Sequence, residues 1–152
     1  MLKIRKSKKD DLIELSKIYK RAYDRPEEGE DWSIKDSKNL LNFYLNQKTF
    51  LGITAIINNK IVGAFFSYVK PWYDGNHLGE GEIFIDPKYQ KQKIGTKLFW
   101  EMMKIADKKK CVVHELIAYN KVSIWYKNLG IKETGLKHMQ GNIKEIIRNL
   151  EK

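Results

Sequence analysis

Basic and amide side chains crowd the turn that follows Asp86 and Pro87. Residues 85–98 read IDPKYQKQKIGTKL: an apolar strand pattern stops, Lys and Gln dominate the turn, and Gly95 lies at the start of a helical pattern. The first turn of a helix presents unpaired N–H groups and the positive end of its dipole, and both attract anions. Because Gly95 has no Cβ, a phosphate can approach its backbone closely. This segment therefore suits a pyrophosphate, with ordinary helix capping among solvated lysines as the alternative.

Familiar nucleotide-binding loops are absent from the chain. Neither the P-loop pattern G-x-x-x-x-G-K-[ST] nor the dinucleotide pattern G-x-G-x-x-G occurs. The net charge of +10, from 29 Lys and Arg against 19 Asp and Glu, attracts polyanions such as nucleic acid or a phosphorylated cofactor. The lysines are spread along the chain and do not cluster with interleaved aromatic residues, so we expect no nucleic-acid partner.

The composition is that of a globular protein. With 152 residues, of which 42% are hydrophobic, we predict one domain spanning residues 1–152. No apolar run approaches the roughly 20 residues of a membrane span, and the first residues, MLKIRKSKKDD, lack the apolar core of a signal peptide. The single cysteine, Cys111, argues against a disulfide framework and fits a reducing cytosol. We therefore expect a cytoplasmic protein that is not bound to a membrane, and we predict no metal site.

Hydrophobic periodicity predicts the element order β-α-α-β-β-β-α-β-α-β-α. This order favours one mixed α/β sheet with helices on both faces. The dipeptide Asn58-Asn59 predicts a hairpin turn, because Asn tolerates the positive φ that tight hairpins require. The other predicted features are a helix capped by Ser33, a loop at 71–79, a strand at 80–86, a helix from about Gly95 to Lys109, a strand at 111–119, a helix from Asn120 to Gly130, a weak strand at 132–139 and a closing helix capped by Asn142.

Two blocks of the sequence resemble the GNAT acetyltransferase superfamily. The six residues from Gln90 to Gly95, QKQKIG, are similar to its motif A, [QR]-x-x-G-x-[GA], which follows a strand and binds the pyrophosphate of acetyl-CoA. One departure is that Lys93 stands where the family usually has its first Gly. Residues 120–131, NKVSIWYKNLGI, are similar to its second block. Some aminoglycoside 6′-acetyltransferases look similar in motif A, including an acidic residue and a Gly before the strand.

The resemblance implies a single-domain GNAT fold in which the mixed central sheet is splayed between two parallel strands, here 80–86 and 111–119. Acetyl-CoA is then the cosubstrate, and its pantetheine arm lies along the exposed main chain of the first strand. Transfer of the acetyl group to a primary amine is expected by direct attack in a ternary complex. The residues that the resemblance assigns to cofactor binding are Phe84, Ile85, Asp86, Gln90, Lys91, Gln92, Lys93, Ile94, Gly95, Thr96, Asn120 and Tyr126.

Catalysis on an amine requires a base for its proton and a proton for the departing thiolate. By its position in the second block, Tyr126 is the predicted proton donor to the CoA sulfur, with aromatic packing as the alternative. Glu80 and Glu82 alternate along the predicted strand and so share one face, where a partly desolvated carboxylate could accept the amine proton. His77, in the preceding loop, has the unperturbed pKa of a base near neutrality. These three residues are the candidate bases, with Glu82 and Glu80 preferred.

Acidic and aromatic residues around two loops suggest the acceptor. Carboxylates beside aromatic faces bind cationic amines through ion pairing and cation–π contact, whereas a solvated acidic loop is the alternative. The predicted acceptor is therefore a small cationic amine such as an aminoglycoside or a polyamine. A protein N-terminus or lysine, or a non-catalytic acyl-CoA-binding module, remain alternatives, and the chain is compatible with a homodimer. The predicted acceptor-binding residues are Glu27, Glu28, Trp32, Trp72 and Asp74.

Overall fold

The computed structural model describes residues 1–151, which form five α-helices and six β-strands. Contacts divide the chain into two compact units, Met1–Leu116 and the part from Ile117 onward, and each is described by itself. No helix in the described part is both long and apolar enough to span a bilayer. The helices are α1 (Leu12–Tyr23), α2 (Ile34–Leu45), α3 (Ile94–Lys108), α4 (Asn120–Asn128) and α5 (Ile143–Leu150), and the strands are β1 (Leu2–Lys6), β2 (Phe50–Ile57), β3 (Lys60–Trp72), β4 (Gly75–Leu78), β5 (Glu82–Ile85) and β6 (Cys111–His114).

Strand β3 organises the sheet, because it pairs with β2 along one side and with β4 and then β5 along the other. The sheet runs in the order β1-β2-β3-β4-β6, while β5 pairs with β3 beyond the end of β4. The strand pairs are antiparallel except for β4 with β6, which is parallel. This open mixed sheet confirms the predicted α/β fold class.

Helices cover both faces of the sheet, as consecutive residues of β3 show. Phe66 is fully buried in a core with α1 and α2, whose members include Leu15 and Leu41. Its neighbour Phe65 points to the other face and stacks on Phe99 of α3, with ring centroids 6.0 Å apart. Successive side chains of a strand alternate between faces, so one apolar stretch of β3 supplies two cores.

Short-range turn and cap chemistry appears where the sequence predicts it. Asn58 and Asn59 have φ values of 48° and 62° and form the two-residue turn between β2 and β3. The side chain of Ser33 accepts a hydrogen bond from the Asp36 N–H at 3.0 Å and caps α2. Asn142 caps α5 in the same way. These predictions are confirmed, because each depends on residues within one turn of the chain.

Two predicted segments are wrong. Residues 71–79, predicted as a loop, contain the end of β3 and all of β4, which form a hairpin with Tyr73 and Asp74 as its turn. The polar residues of this hairpin concealed its strand character. The predicted strand at 132–139 is irregular in the structure. A strand is held by a ladder of hydrogen bonds, and none joins this Lys- and Gly-containing segment to another strand among the described residues.

A β-bulge separates β4 from β5. Val69 pairs with Leu78, and Phe66 pairs with Glu82. Between these pairs, two residues of β3 lie opposite three residues, 79–81, of the segment that joins β4 to β5. Such an extra residue bends the strand and redirects the side chains that follow it. Glycine suits the bulge because a Cβ on Gly81 would lie 2.1 Å from the backbone oxygen of Phe66. The bulge therefore determines how Glu82 is presented.

Replacing Gly81 by Ala is expected to lower the free energy of unfolding by about 3 kcal/mol, since a rigid carbonyl oxygen occupies the space of the new methyl group. Urea-induced unfolding measures this change. Gly95→Ala is the matched control, because a Cβ there meets nothing within 4 Å. Equal stability of the two variants would contradict the tight contact at the bulge.

Candidate active site

The turn before α3 exposes unpaired backbone donors. Lys93 precedes the first residue of α3, and no side chain caps this end of the helix. The carbonyl of Lys93 accepts the N–H of Lys97 at 3.1 Å, so the N–H groups of the first turn point out of the helix without an intrahelical partner. A Cβ on Gly95 would meet nothing within 4 Å, so the space above this turn is open. The residues present fit an anion.

The left-handed backbone conformation of Lys93 explains why motif A usually has a glycine at this position. Lys93 has a φ of 61° and Lys91 a φ of 60°, a region that costs a residue with a side chain about 1–2 kcal/mol. Glycine adopts this conformation without strain, which is a physical reason for glycine at the position of Lys93. Here the chain keeps the loop conformation and places an exposed ammonium group beside it. Compared with glycine in motif A, Lys93 therefore adds a positive charge to the loop and strains its backbone.

Among the other predicted cofactor residues, the structure separates backbone from side-chain roles. Ile94 is buried in the core, so only its main chain can face a ligand. Gln90 donates from Nε2 to the carbonyl of Ile85 at 3.1 Å, which fastens the loop to the end of β5. Lys91, Gln92 and Thr96 are exposed around the helix start. Their part in pyrophosphate binding stays a prediction.

The outward edge of strand β5 offers N–H groups to a ligand, while its carbonyls at Ile83 and Ile85 accept from Tyr23 and Gln90. The N–H of Asp86 donates to the carbonyl of Val62 at 2.8 Å, which makes these two residues a hydrogen-bonded pair. Hydrogen-bonded and non-bonded pairs alternate along antiparallel strands, so Phe84 also bonds to β3, while Ile83 and Ile85 direct their amides outward. The main chain of Phe84 and Asp86 is therefore engaged in the sheet. An added strand would bond to Ile85, as predicted, and to Ile83, which sequence reasoning missed.

The outward edge of β5 faces an opening in the sheet. The neighbouring parallel pair, β4 with β6, ends where the N–H of Glu115 donates to the carbonyl of Leu78 at 3.0 Å. Beyond this bond β5 pairs only with β3. A splay between neighbouring strands next to an uncapped helix N-terminus is a place where an extended arm and its phosphates can bind together.

Glu82 is the candidate base that lies in a low-polarity environment. It is partly buried, and Tyr19 of α1 donates to its Oε2 from the phenol at 3.1 Å. Burial raises the pKa of Glu82 to about 7, the charges of Glu80 and Glu30 add to this rise, and the Tyr19 hydrogen bond opposes it. A carboxyl group with such a pKa can accept a proton near neutrality.

Glu80 and His77 have different surroundings. Glu80 is exposed within the bulge. His77 is buried, and both ring nitrogens meet carboxylates: Nδ1 lies 2.5 Å from Glu115 Oε1, and Nε2 lies 2.7 Å from Asp74 Oδ1. These contacts raise the pKa of His77, chiefly through the Glu115 hydrogen bond. Since both nitrogens are occupied, this geometry disfavours His77 as the base and favours Glu82.

The predicted acceptor residues fall into two separate places. Glu27 and Glu28 are exposed on a short 3-10 helix between α1 and α2, and Trp32 packs edge-on against Tyr19 with ring centroids 5.0 Å apart. Asp74 and Trp72 instead lie at the tip of the β3–β4 hairpin. There Asp74 bonds to His77, and the ring of Trp72 lies under the ammonium of Lys70 at 4.7 Å. Of these residues, Trp32 is connected to Glu82 through Tyr19, which contacts both.

Aromatic residues of α1 complete the surroundings of Glu82. Tyr19 also contacts Phe84 edge-on at 5.1 Å between ring centroids. Tyr23, one turn later, donates from its phenol to the carbonyl of Ile83 at 2.9 Å. Both residues are on the apolar stripe of α1, so only their hydroxyl groups distinguish them from core residues in the sequence.

Arg21 holds the carboxylate at the end of β5. Its Nη2 donates to Asp86 Oδ2 at 2.6 Å, and Asp86 also accepts the N–H of Lys88 at 3.1 Å. Burial opposes ionisation of Asp86, but these contacts lower its pKa below the ordinary value. Asp86 therefore shapes the turn that leads to the phosphate loop through its side chain.

The second compact unit carries the other predicted residues. Asn120 is the first residue of α4, Tyr119 precedes the helix, and the Ser123 hydroxyl donates to the Asn120 carbonyl at 2.9 Å. Tyr126 lies on the same helix and contacts Trp125 at 4.7 Å between ring centroids. The helix ends before Gly130, whose φ of 90° gives the predicted stop. The roles of Asn120 and Tyr126 stay predictions.

A comparison with protein families agrees with this geometry. The model of the acetyltransferase (GNAT) family matches residues 12–130, which is more than half of the chain. The chain belongs to the GNAT acetyltransferase family. It is an acetyl-CoA-dependent N-acetyltransferase, and acetyl-CoA is its cosubstrate. No curated protein sequence gives a significant match.

Solved structures share the fold over nearly the whole chain. A "predicted acetyltransferase" from Clostridium acetobutylicum with acetyl-CoA has a TM-score of 0.74 and 21% identity, covering 95% of this chain and 98% of that chain. Aminoglycoside N-acetyltransferase AAC(6′)-Iy in complex with CoA has a TM-score of 0.72 and 16% identity, covering 94% and 95%. An aminoglycoside acetyltransferase from an uncultured soil metagenomic sample, in complex with trehalose, has a TM-score of 0.70 and 25% identity, covering 93% and 96%.

Proposed function

We propose that this protein transfers the acetyl group of acetyl-CoA to a primary amine of a small cationic acceptor, by direct attack in a ternary complex. The observation that carries this proposal is Glu82, a partly buried carboxyl group whose pKa is about 7 and which lies on β5, the strand with the outward N–H groups. The ammonium form of an amine has no lone pair and must lose a proton to become a nucleophile, and a base with this pKa can accept that proton at neutral pH.

Binding of the cosubstrate uses main-chain donors. The pyrophosphate binds at the uncapped N-terminus of α3, where Gly95 leaves room for it and the exposed Lys91 and Lys93 add positive charge. The pantetheine arm bonds to the outward amides of Ile83 and Ile85 in the manner of an added strand. The net charge of +10 favours the approach of this polyanion.

The chemical step transfers protons and exchanges two bonds. Glu82 accepts a proton from the ammonium form of the acceptor, and the neutral nitrogen then attacks the thioester carbon; a C–N bond forms, the C–S bond breaks, and the nitrogen releases its second proton to solvent. An outward N–H of β5, from Ile83 or Ile85, stabilises the negative charge that develops on the carbonyl oxygen. Tyr126 donates its phenolic proton to the departing thiolate.

Replacing Tyr126 by Phe is expected to lower kcat by about tenfold to a hundredfold with little change in acetyl-CoA affinity, because only the proton donor is removed. Steady-state kinetics and calorimetry measure the two quantities. Trp125→Phe is the matched control, since it alters the neighbouring aromatic residue and leaves the phenol in place. Unchanged kcat in Tyr126→Phe would remove this residue from the mechanism.

The cationic character of the acceptor is supported by the charges near the base. Glu80 and Glu30 lie close enough to raise the pKa of Glu82, and the rings of Tyr19 and Trp32 pack on the same side. Carboxylates beside aromatic faces attract ammonium groups, and a second ammonium on the acceptor stays charged while the first is deprotonated. Aminoglycosides and polyamines carry several such groups. Two of the structural neighbours bear aminoglycoside acetyltransferase names.

An amine panel with acetyl-CoA, followed by release of free thiol, tests the proposal. It contains aminoglycosides, polyamines, amino acids, Lys peptides and N-terminal peptides, and calorimetry with acetyl-CoA runs beside it. We expect a heat of binding and fastest turnover with small polyamines or aminoglycosides. Turnover restricted to peptides would contradict the acceptor class. Binding without any turnover would identify a non-catalytic module, and no binding at millimolar acetyl-CoA would overturn the whole function.

A further inference from the structure

His77 lies at the point where the sheet divides. His77 pairs with Val113 where β4 and β6 run parallel. The next residue, Leu78, is the last residue of β4, and its carbonyl accepts the N–H of Glu115, which follows β6. The strand then passes through the bulge into β5, which pairs only with β3. A side chain that holds β4 to β6 near His77 therefore determines where the opening between β5 and β6 begins.

The contacts of His77 require both ring nitrogens to donate. Ionised carboxylates have no hydrogen-bond donor, so the close oxygens of Asp74 and Glu115 each need an N–H from the ring. This arrangement favours the imidazolium form of His77, in agreement with its raised pKa. Glu115 Oε2 lies 2.5 Å from Lys70 Nζ, so two carboxylates meet two cations in this cluster, in which His77 is buried and the other three side chains are partly exposed. It links β3, the hairpin turn, β4 and the residue after β6.

The charged and titratable groups that face this cluster are few. Tyr68 and Glu80 lie near Lys70, and their charges contribute to its raised pKa. His114 of β6 lies near Glu115, and its Nδ1 is 3.2 Å from the Leu78 carbonyl. Burial lowers the pKa of His114, so it stays neutral where His77 is charged. The ring of Trp72 covers His77 at 5.8 Å between centroids.

We propose that His77 is a positioning residue, which holds β4 and the end of β6 together through Asp74 and Glu115 and thereby sets the width of the opening that receives acetyl-CoA. This inference rests on the proposed placement of the cosubstrate. Loss of the imidazolium leaves two carboxylates facing each other, so the last bond, from the Glu115 N–H to Leu78, opens and the edge of β5 loses its fixed distance from β6.

Amide hydrogen exchange tests the strand junction without any ligand. In His77→Phe the exchange rate of the Glu115 N–H is expected to rise at least about tenfold, while amides between β1 and β2 keep their protection. Glu115→Gln, which keeps the size of the side chain, should give the same direction of change if the aromatic variant folds poorly. Glu101→Gln, at an exposed pair with Lys104 on α3, is the charge control. Unchanged exchange in both junction variants would overturn the proposal.

Kinetics then connect the junction to the cosubstrate. The KM for acetyl-CoA is expected to rise about tenfold in His77→Phe with kcat changed less than about threefold, because the chemistry is intact and the arm is held less well. In the wild type, protection of the Glu115 amide relative to His77→Phe falls as pH rises through the raised pKa of His77, since the imidazolium is then lost. Faster exchange with an unchanged KM would refute the role in binding. Absence of acetyl-CoA binding in the wild type would instead disprove the proposed function.

Discussion

Replacing Glu82 by Gln is expected to lower kcat by about a hundredfold or more, because the amine loses its base while the shape of the side chain is kept. The acidic limb of the wild-type pH–rate profile should have an apparent pKa of about 7, and the rate should fall as pH drops below it, since a protonated carboxyl cannot accept a proton. In Glu82→Gln this limb should disappear. The measurement is kcat against pH at saturating substrates.

Two controls separate this effect from structural damage. Glu80→Gln changes an exposed carboxylate of the same strand and should retain an acidic limb near the wild-type position, moved slightly toward lower pH because a charge that raises the pKa of Glu82 is gone. Tyr19→Phe should move the limb toward higher pH, since the phenol stabilises the ionised form of Glu82. An unmoved limb in Glu82→Gln would assign the base to another residue.

Stability gives an independent view of the same carboxyl group. Its folded-state pKa is raised above the ordinary value of 4.5, so folding favours the protonated form, and stability contributed by Glu82 is lost as pH rises from about 4.5 to about 7. Above that window Glu82→Gln should therefore be at least as resistant to urea as the wild type. A catalytic loss accompanied by normal or higher stability identifies a functional residue.

Replacing Gly95 by Glu is expected to abolish acetyl-CoA binding in calorimetry, with affinity reduced by at least about a hundredfold. The new carboxylate would lie in the open space above the first turn of α3, where the phosphates are proposed to bind, and it would repel them as well as exclude them. The protein should remain folded, because apart from the adjacent backbone of α3 no protein atom lies within 4 Å of the position of the new Cβ.

Gly95→Ala and Gly95→Gln distinguish bulk from charge. The methyl group of Ala should weaken binding only moderately, and Gln should weaken it less than Glu, which has the same size and a negative charge. Thermal unfolding of all three variants checks that the helix persists. Retained affinity in Gly95→Glu would mean that the pyrophosphate binds elsewhere on the protein.

How much of this site the sequence could predict depends on the range of the interactions. The phosphate turn and the Asn58-Asn59 hairpin were predicted because they depend on residues close in the chain. The partner of Glu82 was not, since Tyr19 lies 63 positions away and its hydroxyl group is unremarkable on an apolar stripe. The same holds for His77, whose contact with Glu115 spans 38 positions and converts a candidate base into a charged link between strands.

The prediction that Glu80 and Glu82 share one face assumed the regular alternation of side chains along a strand. Two residues two positions apart share a face only in an uninterrupted strand, and the bulge at 79–81 breaks that rule. Nothing in the composition of GEG identifies a bulge, because the extra residue is defined by the opposite strand. Trp72 and Asp74 were grouped with Glu27 because residues 71–79 were predicted to be a loop. These residues instead form a hairpin, at whose tip Trp72 contacts Lys70.

The single extra residue of the bulge has a consequence for how this enzyme can diversify. Removing one residue from 79–81 would abolish the bulge but leave Glu82 opposite Phe66, whereas removing a second one would shift the register and carry Glu82 to the opposite side of the sheet. Both the length of this short stretch and the glycine at position 81 are therefore constrained. The connection between α1 and α2 lies outside the sheet and carries no such register, so it can tolerate insertion and deletion more readily.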